Sequence, residues 1–146
     1  MQYFDNNENL ISKKREISVL LNDTKYTFIS DNGVFSKGEV DYGSIALLKI
    51  LLKQNFTGNI LDIGCGYGTI GLILAKNFPE CNFLLSDVNI RARALARENK
   101  KSFGVKNVEI IESDIFQNID KNFDYIVTNP PIRAGKKVIY SIFEQS

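Results

Sequence analysis

Three aspartates and one pair of prolines stand where this chain has the means to do chemistry. Asp62 precedes alternating glycines in Asp62-Ile63-Gly64-Cys65-Gly66-Tyr67-Gly68, Asp87 closes the apolar run of residues 82–86, and Asp114 follows a third apolar run. Further on, Tyr125-Ile126-Val127-Thr128 runs straight into Asn129-Pro130-Pro131-Ile132-Arg133. Glycines let the backbone turn sharply and approach a ligand closely, and a helix N-terminus behind them offers free N–H groups. A residue before proline is held extended and proline has no N–H, so Asn-Pro-Pro makes a rigid corner with acceptor oxygens to spare. Beside a bound cofactor, the Asn129 side-chain oxygen and the Pro130 carbonyl can grip both hydrogens of a planar exocyclic amine and leave its nitrogen lone pair free to react.

Each feature alone has a plainer reading. A lone aspartate at a strand end is commonly a turn or helix-cap residue, and Asn-Pro-Pro commonly just stops a strand. Taken together they point to a site, and the glycines fit two frames. Gly66 to Gly71 matches the dinucleotide pattern G-x-G-x-x-G with Asp87 downstream, which would make the protein a nicotinamide-dependent (NAD) oxidoreductase. The other frame puts Asp62 two residues before Gly64-Cys65-Gly66-Tyr67-Gly68. A carboxylate at the strand tip repels a pyrophosphate but attracts a ligand with a cationic amino group and a sulfonium, so the second frame is preferred. Asp87 would then accept from a ribose diol, in charge-assisted bonds worth about 1.5–3 kcal/mol each. Asp114 would hold an adenine amino group, with Val88 and Ile115 on either side of the ring.

The elements that must place these residues follow from hydrophobic periodicity. Residues 16–21 and 25–30 are β-prone runs around Asn22-Asp23-Thr24, which predicts a hairpin. Asp41 or Ser44 is placed to cap a helix that buries Ile45, Leu47, Leu48, Leu51 and Leu52. From residue 59 the pattern is strand 59–64, helix 69–78, strand 82–87, helix 90–103, strand 108–111 and strand 124–129. Short strands that are apolar on both faces and alternate with helices make an α/β fold, a Rossmann-like doubly wound, mainly parallel sheet with helices on both faces. Residues 132–146 read as the start of a helix. The sheet would then end on an unpaired strand, an edge that proteins normally cover, so the chain reads as truncated on its C-terminal side.

Composition sets the outer bounds. At 146 residues, 44% hydrophobic and 24% charged, the chain is one ordinary globular domain, with residues 1–40 as hairpin and loop and 41–146 as the cofactor-binding core. Histidine is absent, and Cys65 and Cys81 are the only cysteines. That rules out a histidine base, a histidine-containing triad and a histidine-based zinc site, and no metal site is expected. The N-terminus has neither a basic leader nor an apolar signal core, and no run reaches membrane-spanning length, so a cytoplasmic location is expected.

The segments Leu61 to Gly68, Ser86 to Asn89, Glu112 to Phe116 and Thr128 to Gly135, in this order, resemble class I S-adenosylmethionine-dependent methyltransferases. Residues 33–44 before the core and 129–136 after it narrow the resemblance to the methyltransferase small domain of bacterial guanine-N2 ribosomal RNA methyltransferases, over about residues 15–140. The resemblance implies S-adenosyl-L-methionine as cofactor, held by Asp62, Gly64, Cys65, Gly66, Gly68, Asp87, Val88, Asp114 and Ile115. It implies Asn129 and Pro130 as the catalytic pair, acting on guanine N2 of ribosomal RNA. Many amino-methyltransferases stack an aromatic residue on the flipped base after the second proline; here that residue is Ile132, so Phe35 is the candidate stacking partner. Pro131, Ile132 and Arg133 would contact substrate, with Arg133, Lys136 and Lys137 facing phosphates. Arg91, Arg93, Arg97, Lys100 and Lys101 read as a solvated helix face. A non-catalytic cofactor- or RNA-binding module is the reading from another class, and oligomeric state is left open.

Overall fold

A computed structural model describes residues 14–31, 42–112, 123–128 and 139–142. Strands β1 (Lys14–Leu21) and β2 (Thr24–Asp31) pair antiparallel around Asn22 and Asp23, with φ of 48° and 67°. Positive φ at both central residues is the two-residue turn whose twist matches that of the flanking strands, and Asn and Asp tolerate it better than most residues. The turn is therefore one residue shorter than the sequence predicts, because Thr24 joins β2. Alternation then places Ile17, Val19, Leu21, Tyr26 and Phe28 on one buried face.

That face does not form a core of its own. It shares one cluster with α1 (Tyr42–Leu51), α2 (Thr69–Asn77) and α3 (Ile90–Phe103). Phe28 lies 4.9 Å from Phe103 and meets Tyr67 edge-on at 5.7 Å, and Tyr26 stacks on Phe103 at 6.1 Å, each distance between ring centroids. Helix α1 buries Leu47, Leu48 and Leu51 as expected, with Ile45 and Leu52 partly buried. Ser44 lies inside its first turn and so cannot be its N-cap, while Asp41 lies outside the described residues.

The main sheet holds β3 (Asn59–Ile63), β4 (Asn82–Ser86), β5 (Val108–Ile111), β6 (Tyr125–Thr128) and β7 (Ile139–Ile142) in the order β5-β4-β3-β6-β7. Its first four strands are parallel, so the fold is the expected Rossmann-like α/β sheet. Side chains alternate across it. Ile60, Phe83, Leu85 and Val127 face the helices and hairpin, and Leu61, Leu84, Phe123 and Ile126 form a second cluster on the other face. All three described helices lie with the larger cluster. Residues 113–122, which connect β5 to β6, lie outside the described residues.

The chain end corrects the sequence reading. Residues 139–142 are not helical but form β7, antiparallel to β6, with Thr128 opposite Ile139 and Tyr125 opposite Ile142. Strand β6 is therefore paired on both sides, and the β-branched and aromatic residues of Ile-Tyr-Ser-Ile suit that role better than a helix. Among the described residues no helix is long and apolar enough to cross a membrane.

Candidate functional site: the carboxyl ends of β3, β4 and β6

The strand order reverses at β3, which has β4 on one side and β6 on the other. In open α/β sheets, ligands bind outside the carboxyl ends of the strands at such a reversal. Beyond Ile63 the chain swings toward β4, where the N–H groups of Gly64 and Cys65 both donate to the Ser86 carbonyl at 2.8 and 2.9 Å. The bend closes when the Gly68 N–H donates to the Cys65 carbonyl at 3.0 Å, and α2 starts at the next residue. Gly64 has φ of 74° with nothing within 4 Å of where a Cβ would be, so the approach to its backbone is open. Gly68, at φ 106°, is constrained twice, because a Cβ there would also stand 2.6 Å from the Leu72 side chain. Gly68, the residue before α2, brings no side-chain cap, and in the first turn the Gly71 N–H donates to the Asp62 carboxyl instead.

Asp62 is 4% exposed and takes a hydrogen bond from the Gly71 backbone N–H, but its Oδ2 has no partner among the described residues. Burial first, and then the nearby Asp87 charge, raise its pKa from 3.8 to about 7, against the opposing pull of the Gly71 N–H. An unpartnered buried acceptor costs about 1–3 kcal/mol, more when charged, so a ligand that brings a cationic donor is favoured here.

Asp87 directly follows β4 and is half-buried. Its Oδ2 accepts from the Gly66 N–H and its Oδ1 from the Asn89 N–H, both at 2.9 Å. A carboxylate has about four acceptor sites, so each oxygen keeps one for a ligand diol. Val88 beside it is 62% exposed, an apolar surface left open at the strand end. Asn89 then caps α3 by accepting from the Ala92 N–H at 3.0 Å. The structure thus brings Asp62, Gly64, Gly66, Gly68, Asp87 and Val88 to one end of the sheet, as expected. Cys65 contributes its bend rather than its thiol, which is buried and lies 3.5 Å from the Gly66 carbonyl. Burial, then Asp62, then Asp87 push that thiol well above the ordinary range. Phe35, Asp114, Ile115, Asn129, Pro130, Pro131, Ile132 and Arg133 lie outside the described residues.

Two residues of the site were not singled out for it from sequence. Arg93 is buried, not solvated. Its Nη1 donates to the Asp87 carbonyl at 3.0 Å and its Nη2 lies 3.8 Å from Glu112, which ties the ends of β4 and β5 together. Its neighbours on α3 are also engaged, Arg97 with the Ile110 carbonyl at 3.2 Å and Arg91 with Asp31 at 3.8 Å. Asn99 is wholly buried and links the hairpin to the glycine bend. A helix position one turn from a surface position carries no sequence mark of which polar group turns inward, so periodicity could find neither.

A family model described as methyltransferase small domain matches residues 25–146. The uncharacterized protein YbxB of Bacillus subtilis is 47% identical over 146 residues, covering 99% of this chain and 73% of that protein. Ribosomal RNA small subunit methyltransferase C of Photorhabdus laumondii is 40% identical over 105 residues, 72% of this chain and 30% of its own length. Its namesake in Aeromonas hydrophila is 38% identical over 122 residues, 84% of this chain and 35% of its own length. The chain therefore spans about a third of those two relatives. Among solved structures, a Pyrococcus abyssi tRNA (uracil-54, C5)-methyltransferase in complex with S-adenosyl-L-homocysteine superposes with a TM-score of 0.60 at 22% identity, covering 78% of this chain and 34% of that one. M. jannaschii TYW2 in complex with AdoMet superposes with a TM-score of 0.58 at 18% identity, covering 81% and 63%. At these identities the superpositions show a shared fold.

Proposed function

This chain belongs to the methyltransferase small domain family, and from that premise we propose that it transfers a methyl group from S-adenosylmethionine to an exocyclic amine, guanine N2 of ribosomal RNA. The observation that carries the reading is Asp62, a buried carboxylate with one oxygen unpartnered among the described residues, beside a glycine bend and one strand away from Asp87. Such a pair suits a ligand that is cationic at one end and carries a ribose diol. A nicotinamide dinucleotide would instead bring phosphates toward two carboxylates.

When bound, S-adenosylmethionine supplies a methyl group on a cationic sulfur, which leaves as a neutral thioether without help from a general acid. The chain's own groups bind and orient. Asp62 accepts from the ligand's ammonium, the free lone pairs of Asp87 accept from the ribose hydroxyls, and the bend of Gly64, Cys65, Gly66 and Gly68 leaves room for the ligand against the backbone. Val88 and Ile115 flank the adenine, and Asp114 accepts from its amino group.

Asn129 and Pro130 hold the acceptor amine. Thr128 pairs with Ile63 in parallel register, and Asn129 and Gly64 are the next residues of their chains, which supports a shared end of the sheet. The Asn129 side-chain oxygen and the Pro130 carbonyl accept from the NH2, keep its lone pair free, and favour the positive charge that develops on nitrogen, which is discharged when the nitrogen gives its excess proton to water. Pro131, Ile132 and Phe35 pack against the base and Arg133 faces a phosphate, so RNA is the proposed partner. The names of the Photorhabdus and Aeromonas relatives support ribosomal RNA as substrate. The test is methylation of ribosomal RNA by wild type and Asn129→Ala, with mass mapping of the modified nucleotide. The expected result is N2-methylguanosine from wild type and a loss of at least about a hundredfold in the variant, the scale of removing an oriented electrostatic contact. Equal incorporation by both would overturn the catalytic assignment.

A further inference from the structure

Asn99 is the one wholly buried polar side chain in α3, and its amide makes three hydrogen bonds among the described residues. Its Oδ1 accepts from the Ile29 N–H at 2.7 Å, and its Nδ2 donates to the Ile29 carbonyl at 3.0 Å. At β2 it therefore does what a neighbouring strand would do, satisfying both backbone groups of one residue. The same Nδ2 also donates to the Tyr67 carbonyl at 2.9 Å. Tyr67 sits between Gly66 and Gly68, and its ring packs edge-on against Phe28 of the hairpin. One side chain thus joins the hairpin to the middle of the bend whose neighbouring N–H, that of Gly66, is held by Asp87.

We propose that Asn99 is a positioning residue that sets the affinity of the glycine bend for S-adenosylmethionine, and that through it the docked hairpin is part of the cofactor site. The proposal rests on the methyltransferase reading for its ligand, but its mechanism is a property of the free protein. A five-residue bend with three glycines, Gly64 to Gly68, has much backbone freedom to lose, and that loss has to be met either when the ligand binds or beforehand. Asn99 meets it beforehand. Its carboxamide is planar, buried and held on both sides, so the Tyr67 carbonyl has one place to point.

A buried asparagine that merely held the hairpin on would predict lost stability and nothing else. The variant Asn99→Ala is therefore compared with Val108→Ala, a core truncation in the first residue of β5, at the opposite end of the sheet. Amide hydrogen exchange and calorimetry with S-adenosyl-L-homocysteine are the readouts. In Asn99→Ala the Gly66 and Gly68 amides should exchange at least about tenfold faster than in Val108→Ala, and the ligand should bind about tenfold more weakly, the size of one hydrogen bond. Val108→Ala should bind within about twofold of wild type. Should Asn99→Ala not fold, the wild type decides: its Asn99 carboxamide protons should belong to the slowly exchanging class and shift when ligand is added. Unchanged bend exchange relative to Val108→Ala, or a carboxamide signal indifferent to ligand, would overturn the proposal. Failure of wild type to bind the ligand at all would overturn the methyltransferase reading instead, while the exchange comparison would still decide whether Asn99 orders the bend.

Discussion

Replacing Asp62 by asparagine should make the free protein more stable above neutral pH and abolish its cofactor affinity. The buried Asp62 carboxyl has its pKa raised from 3.8 to about 7, chiefly by burial. Between those values the unfolded chain has given up a proton that the folded chain keeps, so the unfolded state binds fewer protons and stability falls as pH rises. The fall begins near pH 4, is complete just above 7, and amounts to about 4 kcal/mol at 1.36 kcal/mol per pH unit. Asparagine keeps the shape and the acceptor for the Gly71 N–H but does not titrate. Near pH 4, where the wild-type carboxyl is neutral, the two proteins should be close in stability, one leaving an O–H and the other an NH2 group at the unpartnered position. At pH 8 Asp62→Asn should lead by about 3–4 kcal/mol, on the order of 10 °C in Tm for a domain of this size. The assay is urea denaturation of both proteins, without ligand, at pH 4.5, 6 and 8, since other carboxylates titrate in both and largely cancel in the difference. A stability difference that does not grow with pH would refute the reasoning. So would a less stable variant at pH 8, because the carboxylate would then have a partner.

The same titration should appear in binding. Calorimetry with S-adenosyl-L-homocysteine, which keeps the ammonium, should show affinity rising up to tenfold per pH unit below about 7 and flat above, because the ligand selects the ionised Asp62; a profile level from pH 5 to 8 would separate Asp62 from the ammonium. Gly71→Ala should cost about 1–3 kcal/mol by overpacking, read by urea denaturation, because a Cβ there would lie 2.7 Å from the Leu85 side chain. Pairing it with Leu85→Ala should recover part of the loss relative to Leu85→Ala alone, and strict additivity would refute that contact as the cause.

Much of the scaffold was legible in the residues because two simple periods repeat without conflict. Residues 59–63 and 82–86 are buried on both faces along most of their length, 108–111 exposes only Glu109, and helical patterns separate the three, which admits little besides parallel strands. The glycine bend was legible for a different reason: positive φ at Gly64, Gly66 and Gly68 leaves few alternatives to glycine, so the conformation is written in the residue type. What escaped was decided by tertiary contact. Arg93 and Lys101 look alike in a helical pattern, yet one is buried against the Asp87 carbonyl and the other is exposed. Asn99 reads as a surface residue until β2 is known to have no strand on the side of Ile29 away from β1. The strand character of residues 139–142 depends on β6, whose free edge pairs with them, so the residues taken alone suggest a helix there.

That last pairing bears on how the family can diversify. Thr128 and Ile139 face each other across a hydrogen-bonded ladder, so the ten residues between them leave and re-enter the sheet at adjacent points. Doubling the length of a segment anchored in this way adds only about 0.6 kcal/mol of closure entropy. A longer or shorter segment between these two anchors therefore costs the sheet little. The interval that begins at Asn129 can therefore change in length while β6 keeps its partners on both sides, β3 and β7.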